Sequence, residues 1–131
     1  MTDVETDLTG FRVLLVEDNG LLGRCLADAL MDFGAQVLGP IPDLAEAFRC
    51  LSARHLELNA AVLNVTIGTE TSYPLVDLAD GLGVPCLFVT GCAAQDIPAR
   101  YGHVPVFEKP VESDAFAACV AEMARRRLPQ H

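Results

Sequence analysis

Short continuous runs of apolar residues alternate along this chain with segments in which apolar residues recur every three or four positions. The first run, residues 11–16, is nearly all apolar and stops at Glu17 and Asp18, which predicts a strand buried on both faces. Residues 22–33 then carry apolar side chains at helical spacing, and Gly34 is suited to end that helix in a left-handed conformation. The chain is therefore predicted to open with a strand followed by a helix.

The same alternation continues to the end of the chain. Further strands are predicted over residues 35–39, 60–65, 85–90 and 104–107. Helical segments are predicted to start at a capping box of Asp43 and Glu46, at Ser72 or Tyr73 ahead of Pro74, in a short turn over 97–101, and at Ser113 or Asp114. Because Pro105 has no backbone N–H to donate, the last strand is predicted to lie at an edge of the sheet.

Five strands that each lead into a helical segment indicate an α/β fold with a doubly wound parallel sheet and helices on both faces. The length of 131 residues suits one domain. We expect that domain to cover residues 11–128, preceded by a flexible segment 1–10 and followed by a tail 129–131. Ligands of such sheets bind beyond the carboxyl ends of the strands, so candidate functional residues are expected there.

Composition narrows the possible partners and compartments. Nine basic against 18 acidic residues give a net charge of −9, which repels a phosphate backbone and argues against a nucleic-acid partner. The dense basic run at 125–127 suits the last turn of a helix. With an acidic start and no run of about eighteen apolar residues, the sequence predicts neither secretion nor a membrane span, and we expect a cytoplasmic protein.

The five cysteines are an odd number at scattered spacings without a C-x-x-C pair. This pattern favours reduced thiols that are mostly buried as small hydrophobic side chains over a disulfide framework or a zinc site.

Polar residues follow four of the predicted strands: Glu17 and Asp18, then Asn64 and Thr66, then Thr90, and finally Lys109. Adjacent carboxylates need a compensating cation or water, which favours Mg²⁺, although the same pair is equally suited to capping the next helix. Taken singly, Thr90 and Lys109 are ordinary strand and loop residues. Together beside an acidic pair, a hydroxyl and an ammonium would form a cradle for a phosphoryl group.

At this point the sequence resembles the receiver domains of bacterial two-component response regulators. The resemblance rests on VLLVEDN at 13–19, the position of Asn64, Val89-Thr90-Gly91 and Phe107-Glu108-Lys109-Pro110, and it covers roughly residues 11 to 128. The fourth-strand segment and the short helical turn after it are similar to a receiver subgroup with a Phe-Ala-Thr-Gly-type motif, which includes stand-alone regulators of stress signalling. Because no output domain is recognised in these residues, a stand-alone regulator is expected.

The resemblance implies a flavodoxin-like sheet with strand order 2-1-3-4-5. It implies that Glu17 and Asp18 bind Mg²⁺ together with the position of Asn64 and the carbonyl of Thr66, and that Thr90 and Lys109 contact phosphoryl oxygens. A cis bond at Lys109–Pro110 is implied as well. The implied partners are a histidine kinase, a phosphotransfer protein or another signalling protein, and no enzymatic activity is expected.

Two departures from the family pattern change this picture. Asn64 stands where the family has its phosphate-accepting aspartate, and an amide is neither a useful nucleophile nor a charged metal ligand, so phosphorylation should fail and Mg²⁺ binding should weaken. Val106 stands where many members have an aromatic switch residue. Asn64 can also be interpreted as an ordinary hydrogen-bonded polar residue at the end of a strand. The protein is then either a natural pseudo-receiver or an engineered Asp-to-Asn variant.

Two other functions compete with the receiver interpretation. A flavodoxin-like nucleotide-binding domain would need a first loop that can bind phosphate, but the loop at 17–20 is acidic and lacks the pattern G-x-G-x-x-G. A hydrolase would need an activated nucleophile, and no serine or cysteine has a nucleophile-elbow context. The sequence therefore favours a receiver that acts through protein contacts.

Overall fold

Parallel strands with helices on both faces build the fold seen in the computed structural model, which describes residues 6–91 and 94–127. The sheet has strands β1 Arg12–Val16, β2 Gln36–Ile41, β3 Ala60–Asn64, β6 Cys86–Thr90 and β7 Val106–Glu108. A short hairpin supplies β4 Thr66–Ile67 and β5 Glu70–Thr71. The helices are α1 Gly20–Asp32, α2 Leu44–Arg54, α3 Tyr73–Leu82 and α4 Ser113–Arg127, with 3-10 turns at Ala94–Asp96 and Ala99–Tyr101.

The strand order is β2-β1-β3-β6-β7 and every neighbouring pair in this sheet is parallel. The order 2-1-3-4-5 expected for the five main strands is therefore confirmed, and the strand that follows Pro105 lies at an edge as predicted. The Lys109–Pro110 bond is cis, also as expected, and Gly39–Pro40 is a second cis bond that the sequence analysis did not anticipate.

Alternate side chains of each central strand enter two separate hydrophobic clusters. In β1, Val13 and Leu15 face the cluster covered by α1 and α4, whereas Leu14 and Val16 face the cluster covered by α2 and α3. All four side chains are completely buried. This double burial is the reason that the run at 11–16 shows no polar alternation.

Capping residues and glycines in the sequence predicted most helix ends correctly. The Asp43 carboxylate accepts a hydrogen bond from the Glu46 N–H at 3.0 Å, so the predicted cap at the start of α2 is confirmed. Gly34, just beyond α1, has a φ of 105°, the left-handed conformation that glycine adopts readily. The hairpin of β4 and β5 was not predicted, because two strands of two residues are too short to show periodicity.

The packed fold begins earlier in the chain than the expected boundary at residue 11. Leu8 is completely buried in the cluster under α1 and α4, and its N–H donates to the Phe33 carbonyl at 2.7 Å. The expected flexible segment 1–10 therefore contains a residue of the core, Leu8, which is bonded to the end of α1. Residues 1–5 and the expected tail at 129–131 lie outside the described residues, as does the last residue of the expected domain.

The cysteines differ in part from expectation. The four described ones are free, but only Cys86 is buried, whereas Cys50 and Cys119 are half-buried and Cys25 is exposed on α1. Cys92 lies outside the described residues. Burial raises the pKa of the Cys86 thiol to about 12. No helix among the described residues is long and apolar enough to cross a membrane.

We predict that iodoacetamide at pH 8 alkylates Cys25 within minutes while Cys86 stays unmodified in the folded protein. With a pKa of about 12, only on the order of one Cys86 thiol in ten thousand is ionised at that pH, and the thiolate is the reactive form. Peptide mass spectrometry after timed alkylation reports both sites, and unfolding in urea is the control that should expose Cys86. Equal alkylation rates in the folded state would contradict the buried position of Cys86.

Candidate functional site

The parallel register brings the ends of four strands to one edge of the sheet. Val16 pairs with Leu63, so the next residues, Glu17 and Asn64, are neighbours across β1 and β3. Farther along the edge, the Lys109 N–H donates to the Thr90 carbonyl at 2.8 Å, which joins β6 to the chain after β7. The structure therefore brings together Glu17, Asn64, Thr90 and Lys109 from four separate segments.

A buried carboxylate lies at the centre of this edge. Glu17 is only 2% exposed, and its Oε2 accepts hydrogen bonds from Asn64 Nδ2 at 3.1 Å and from the Asn19 N–H at 3.0 Å. Lys109 Nζ lies 3.7 Å from Oε1 of the same carboxylate. One negative charge is thus surrounded by an amide, a backbone donor and an ammonium.

The second oxygen of Glu17 is distinctive. Within the described part of the chain, Oε1 is the one buried side-chain oxygen or nitrogen that has no hydrogen bond. The distance of 3.7 Å from Lys109 Nζ is too long for a hydrogen bond but is within ion-pair range. The carboxylate is therefore compensated electrostatically at Oε1 and by hydrogen bonds at Oε2.

Asp18 and Thr66 are arranged differently from Glu17. Asp18 is exposed, and its Oδ2 accepts a hydrogen bond from the Gly68 N–H at 2.7 Å. Thr66 is an exposed residue of the hairpin, where it pairs with Thr71. The Asp18 carboxylate consequently ties the loop after β1 to the hairpin after β3.

Ser72 is a contributor to the site that the sequence analysis treated only as a helix start. Its side chain is completely buried, and its Oγ donates to the Asn64 carbonyl at 2.7 Å. Its N–H donates to the Val65 carbonyl, also part of the chain at the end of β3. Ser72 therefore fixes the backbone that presents Asn64. A serine ahead of a proline at a helix start gave no signal for this second role.

The surroundings of Thr90 differ from a threonine–aromatic pair at the switch position. Thr90 is buried and Val106 is half-buried. The aromatic rings on this side belong to other residues: Tyr73 stacks on Tyr101 with ring centroids 4.7 Å apart and meets Phe88 edge to face. The Tyr101 hydroxyl donates to Asp77 at 3.2 Å, and burial together with this bond raises the pKa of Tyr101.

The residues present do not fit a tightly held divalent cation. No group of three or more acidic, histidine or cysteine side chains with metal-binding geometry occurs in the ranges 6–91 and 94–127. Of the two carboxylates, Glu17 already has an internal cation in Lys109, and Asp18 is bound to the hairpin. Asn64, which lies beside Glu17, contributes a neutral amide donor and no further carboxylate.

We predict that Ser72→Ala lowers the free energy of unfolding by about 1–2 kcal/mol, because it removes the hydroxyl that donates to the part-buried Asn64 carbonyl. Urea denaturation followed by circular dichroism measures this change. Ser52→Ala on the exposed face of α2 is the matched control and should change stability by less than about 0.5 kcal/mol. Equal effects of the two substitutions would contradict the role of Ser72.

Comparison with known proteins identifies the fold through structure and not through sequence. No family model matches the sequence, and no curated protein matches it. A receiver protein from Sinorhizobium medicae WSM419 is 18% identical, with 93% of this chain and 100% of that chain covered and a TM-score of 0.78. The receiver domain of HemR from Leptospira biflexa is 22% identical over 92% of this chain and 99% of that chain, with a TM-score of 0.77.

A third structure has the highest sequence identity of the three to this chain. The signal receiver domain of a modulated diguanylate cyclase from Desulfovibrio desulfuricans G20 is 26% identical over 88% of this chain and 94% of that chain, with a TM-score of 0.74. The three structures differ in source but share one architecture with this chain over 88% to 93% of its length. The chain therefore has the flavodoxin-like fold of response-regulator receiver domains.

Proposed function

We propose that this protein is a receiver module of two-component phosphorelay signalling that acts through protein contacts and is not phosphorylated on an aspartate. The receiver fold supports the first part. The second part rests on one observation: Asn64 lies at the carboxyl end of the central strand β3 and donates to Glu17, the carboxylate that Lys109 also faces. This fold is compatible with many functions, so the function is inferred from the residues of the site.

The chemistry of Asn64 argues against phosphoryl transfer to this position. An amide oxygen is a poor nucleophile, and an amide cannot supply the negative charge that a phosphate-accepting carboxylate has. In the structure its Nδ2 already donates to Glu17 at 3.1 Å. The side chain therefore acts as a donor to a neighbouring carboxylate.

The remainder of the pocket supports an origin in the receiver family. Thr90 and Lys109 hold adjacent positions at the end of the sheet, where a hydroxyl and an ammonium can bind the oxygens of a phosphoryl group. Phosphoryl transfer depends mainly on positioning and on neutralising charge. We therefore propose that the pocket retains most of what the reaction requires and lacks the acceptor.

The proposed partners are a histidine kinase, a phosphotransfer protein or a separate regulator, with no nucleic acid or membrane contact and no catalytic activity of the chain itself.

We also propose membership of the subgroup with a Phe-Ala-Thr-Gly-like fourth strand, on the basis of Phe88, Thr90 and Gly91. The free described cysteines agree with a reducing compartment such as the cytoplasm. The codon at position 64 of the encoding gene distinguishes a natural pseudo-receiver from an engineered variant.

We predict that acetyl phosphate with Mg²⁺ adds no phosphate to the protein, because the acceptor position has no carboxylate. Intact-mass spectrometry at neutral pH measures the modified fraction. A phosphorylatable receiver domain treated in parallel is the positive control. A gain of one phosphate that requires Mg²⁺ would contradict the proposal and would direct attention to Glu17 or Asp18 as the acceptor.

We predict that Asn64→Asp is phosphorylated under the same conditions, since the substitution is nearly isosteric and adds the missing nucleophile beside Thr90 and Lys109. Intact mass and beryllofluoride-dependent NMR shifts measure the outcome. Asn64→Gln, which keeps the amide, is the matched control and should stay unmodified. A folded Asn64→Asp variant that ignores acetyl phosphate and beryllofluoride would show that more than the nucleophile is missing.

We further propose that Mg²⁺ binds weakly, through Glu17 and Asp18, with Asn64 and the Thr66 carbonyl at its side. Replacing a carboxylate by an amide near a divalent ion removes attraction on the order of a few kcal/mol at an effective dielectric constant of about 20. Isothermal titration calorimetry should therefore give a dissociation constant above about 1 mM. Micromolar binding would contradict this expectation.

A further inference from the structure

We infer that Lys109 and Asn64 supply, from within the chain, the positive charge and the donor that an acidic receiver pocket otherwise takes from a divalent ion. Glu17 then remains buried and charged without metal. The inference deepens the proposed function and rests on its assignment of Asn64 to the acceptor position. It concerns the ionic balance of the pocket and not its reactivity.

Burial of the Glu17 carboxylate requires compensation in the native state itself. A buried charge is tolerated when it is paired and hydrogen-bonded. Oε2 has two donors, from Asn64 and Asn19, and Oε1 lies 3.7 Å from the Lys109 ammonium. The chain itself therefore provides a cation at this oxygen, the ammonium of Lys109, where a metal ion could otherwise bind.

Lys109 is the partly exposed member of this ion pair. Its side chain is 27% exposed, whereas that of Glu17 is 1% exposed. The Lys109 backbone is held by its bond to the Thr90 carbonyl. A cation approaching Oε1 would have to displace this ammonium or share the oxygen with it.

The residue at position 64 determines whether Lys109 alone can compensate the charge of Glu17. With an amide at this position, the 3.1 Å contact to Glu17 Oε2 is a hydrogen bond. With aspartate, two carboxylate oxygens would face each other at a similar distance and one lysine would be shared by two charges. An added divalent ion would then be needed to stabilise the pocket, because one lysine cannot neutralise two carboxylates.

The decisive experiment is thermal unfolding of the full chain after chelator treatment, with and without about 1 mM Mg²⁺ at matched ionic strength. The parent should shift by less than about 2 °C. Asn64→Asp should melt below the parent without Mg²⁺ and should gain at least about 4 °C with it. A parent that gains as much as the variant would overturn the inference.

A second variant tests the internal cation directly. Lys109→Gln should lower the melting temperature by at least about 4 °C, because Glu17 loses its counter-ion, and added Mg²⁺ should recover part of the loss. Arg126→Gln is the matched control, since it removes an exposed cation that pairs with Glu122 on α4. The combination Glu17→Gln with Lys109→Gln should cost less than the two single losses added together.

An unchanged melting temperature for Lys109→Gln, or strict additivity in the double variant, would overturn the inference even if Asn64→Asp failed to fold. Failure here is distinct from failure of the proposed function. The phosphorylation state is read by mass in the presence of a phosphodonor, whereas the internal cation is read by unfolding without any phosphodonor.

Discussion

The buried carboxylate of Glu17 constrains the whole carboxyl edge of the sheet. A charge that is 2% exposed needs partners in the native state, and these come from three separate segments: Asn19 at the start of α1, Asn64 at the end of β3 and Lys109 after β7. Removing one of these partners would leave the charge poorly compensated. The relative positions of β1, β3 and β7 at this edge are therefore linked by one ionic group.

This constraint explains why supporting residues are arranged as they are. The Ser72 hydroxyl donates to the Asn64 carbonyl, and the Thr90 carbonyl accepts from the Lys109 N–H, so that two of the three partners of Glu17 are fixed by hydrogen bonds to their own main chain. Asp18, in contrast, points to the hairpin and is exposed. The adjacent acidic residues of the sequence thus have different environments: one is the centre of the site, and the other anchors a loop.

The same architecture can serve different chemistry because the strand ends are the variable part of the fold. A receiver with an aspartate at the end of its central strand has a nucleophile and a metal ligand there. In this chain the amide of Asn64 instead donates to Glu17 at 3.1 Å. Exchange of one oxygen for one nitrogen reverses the hydrogen-bonding role at this position, which is the physical basis for proposing a receiver that signals by contact.

The sequence by itself determined the alternation of strands and helices, the edge position of the strand after Pro105 and the cap at Asp43, because periodicity, proline and capping act over a few residues. It also placed Glu17, Asn64, Thr90 and Lys109 at one edge, since parallel strands end on the same side. Only the tertiary structure decided that Leu8 belongs to the core, that Ser72 supports Asn64 and that Lys109 pairs with Glu17. These contacts depend on how separate segments of the chain pack against one another. Patterns that act over a few residues cannot show which of those segments come into contact.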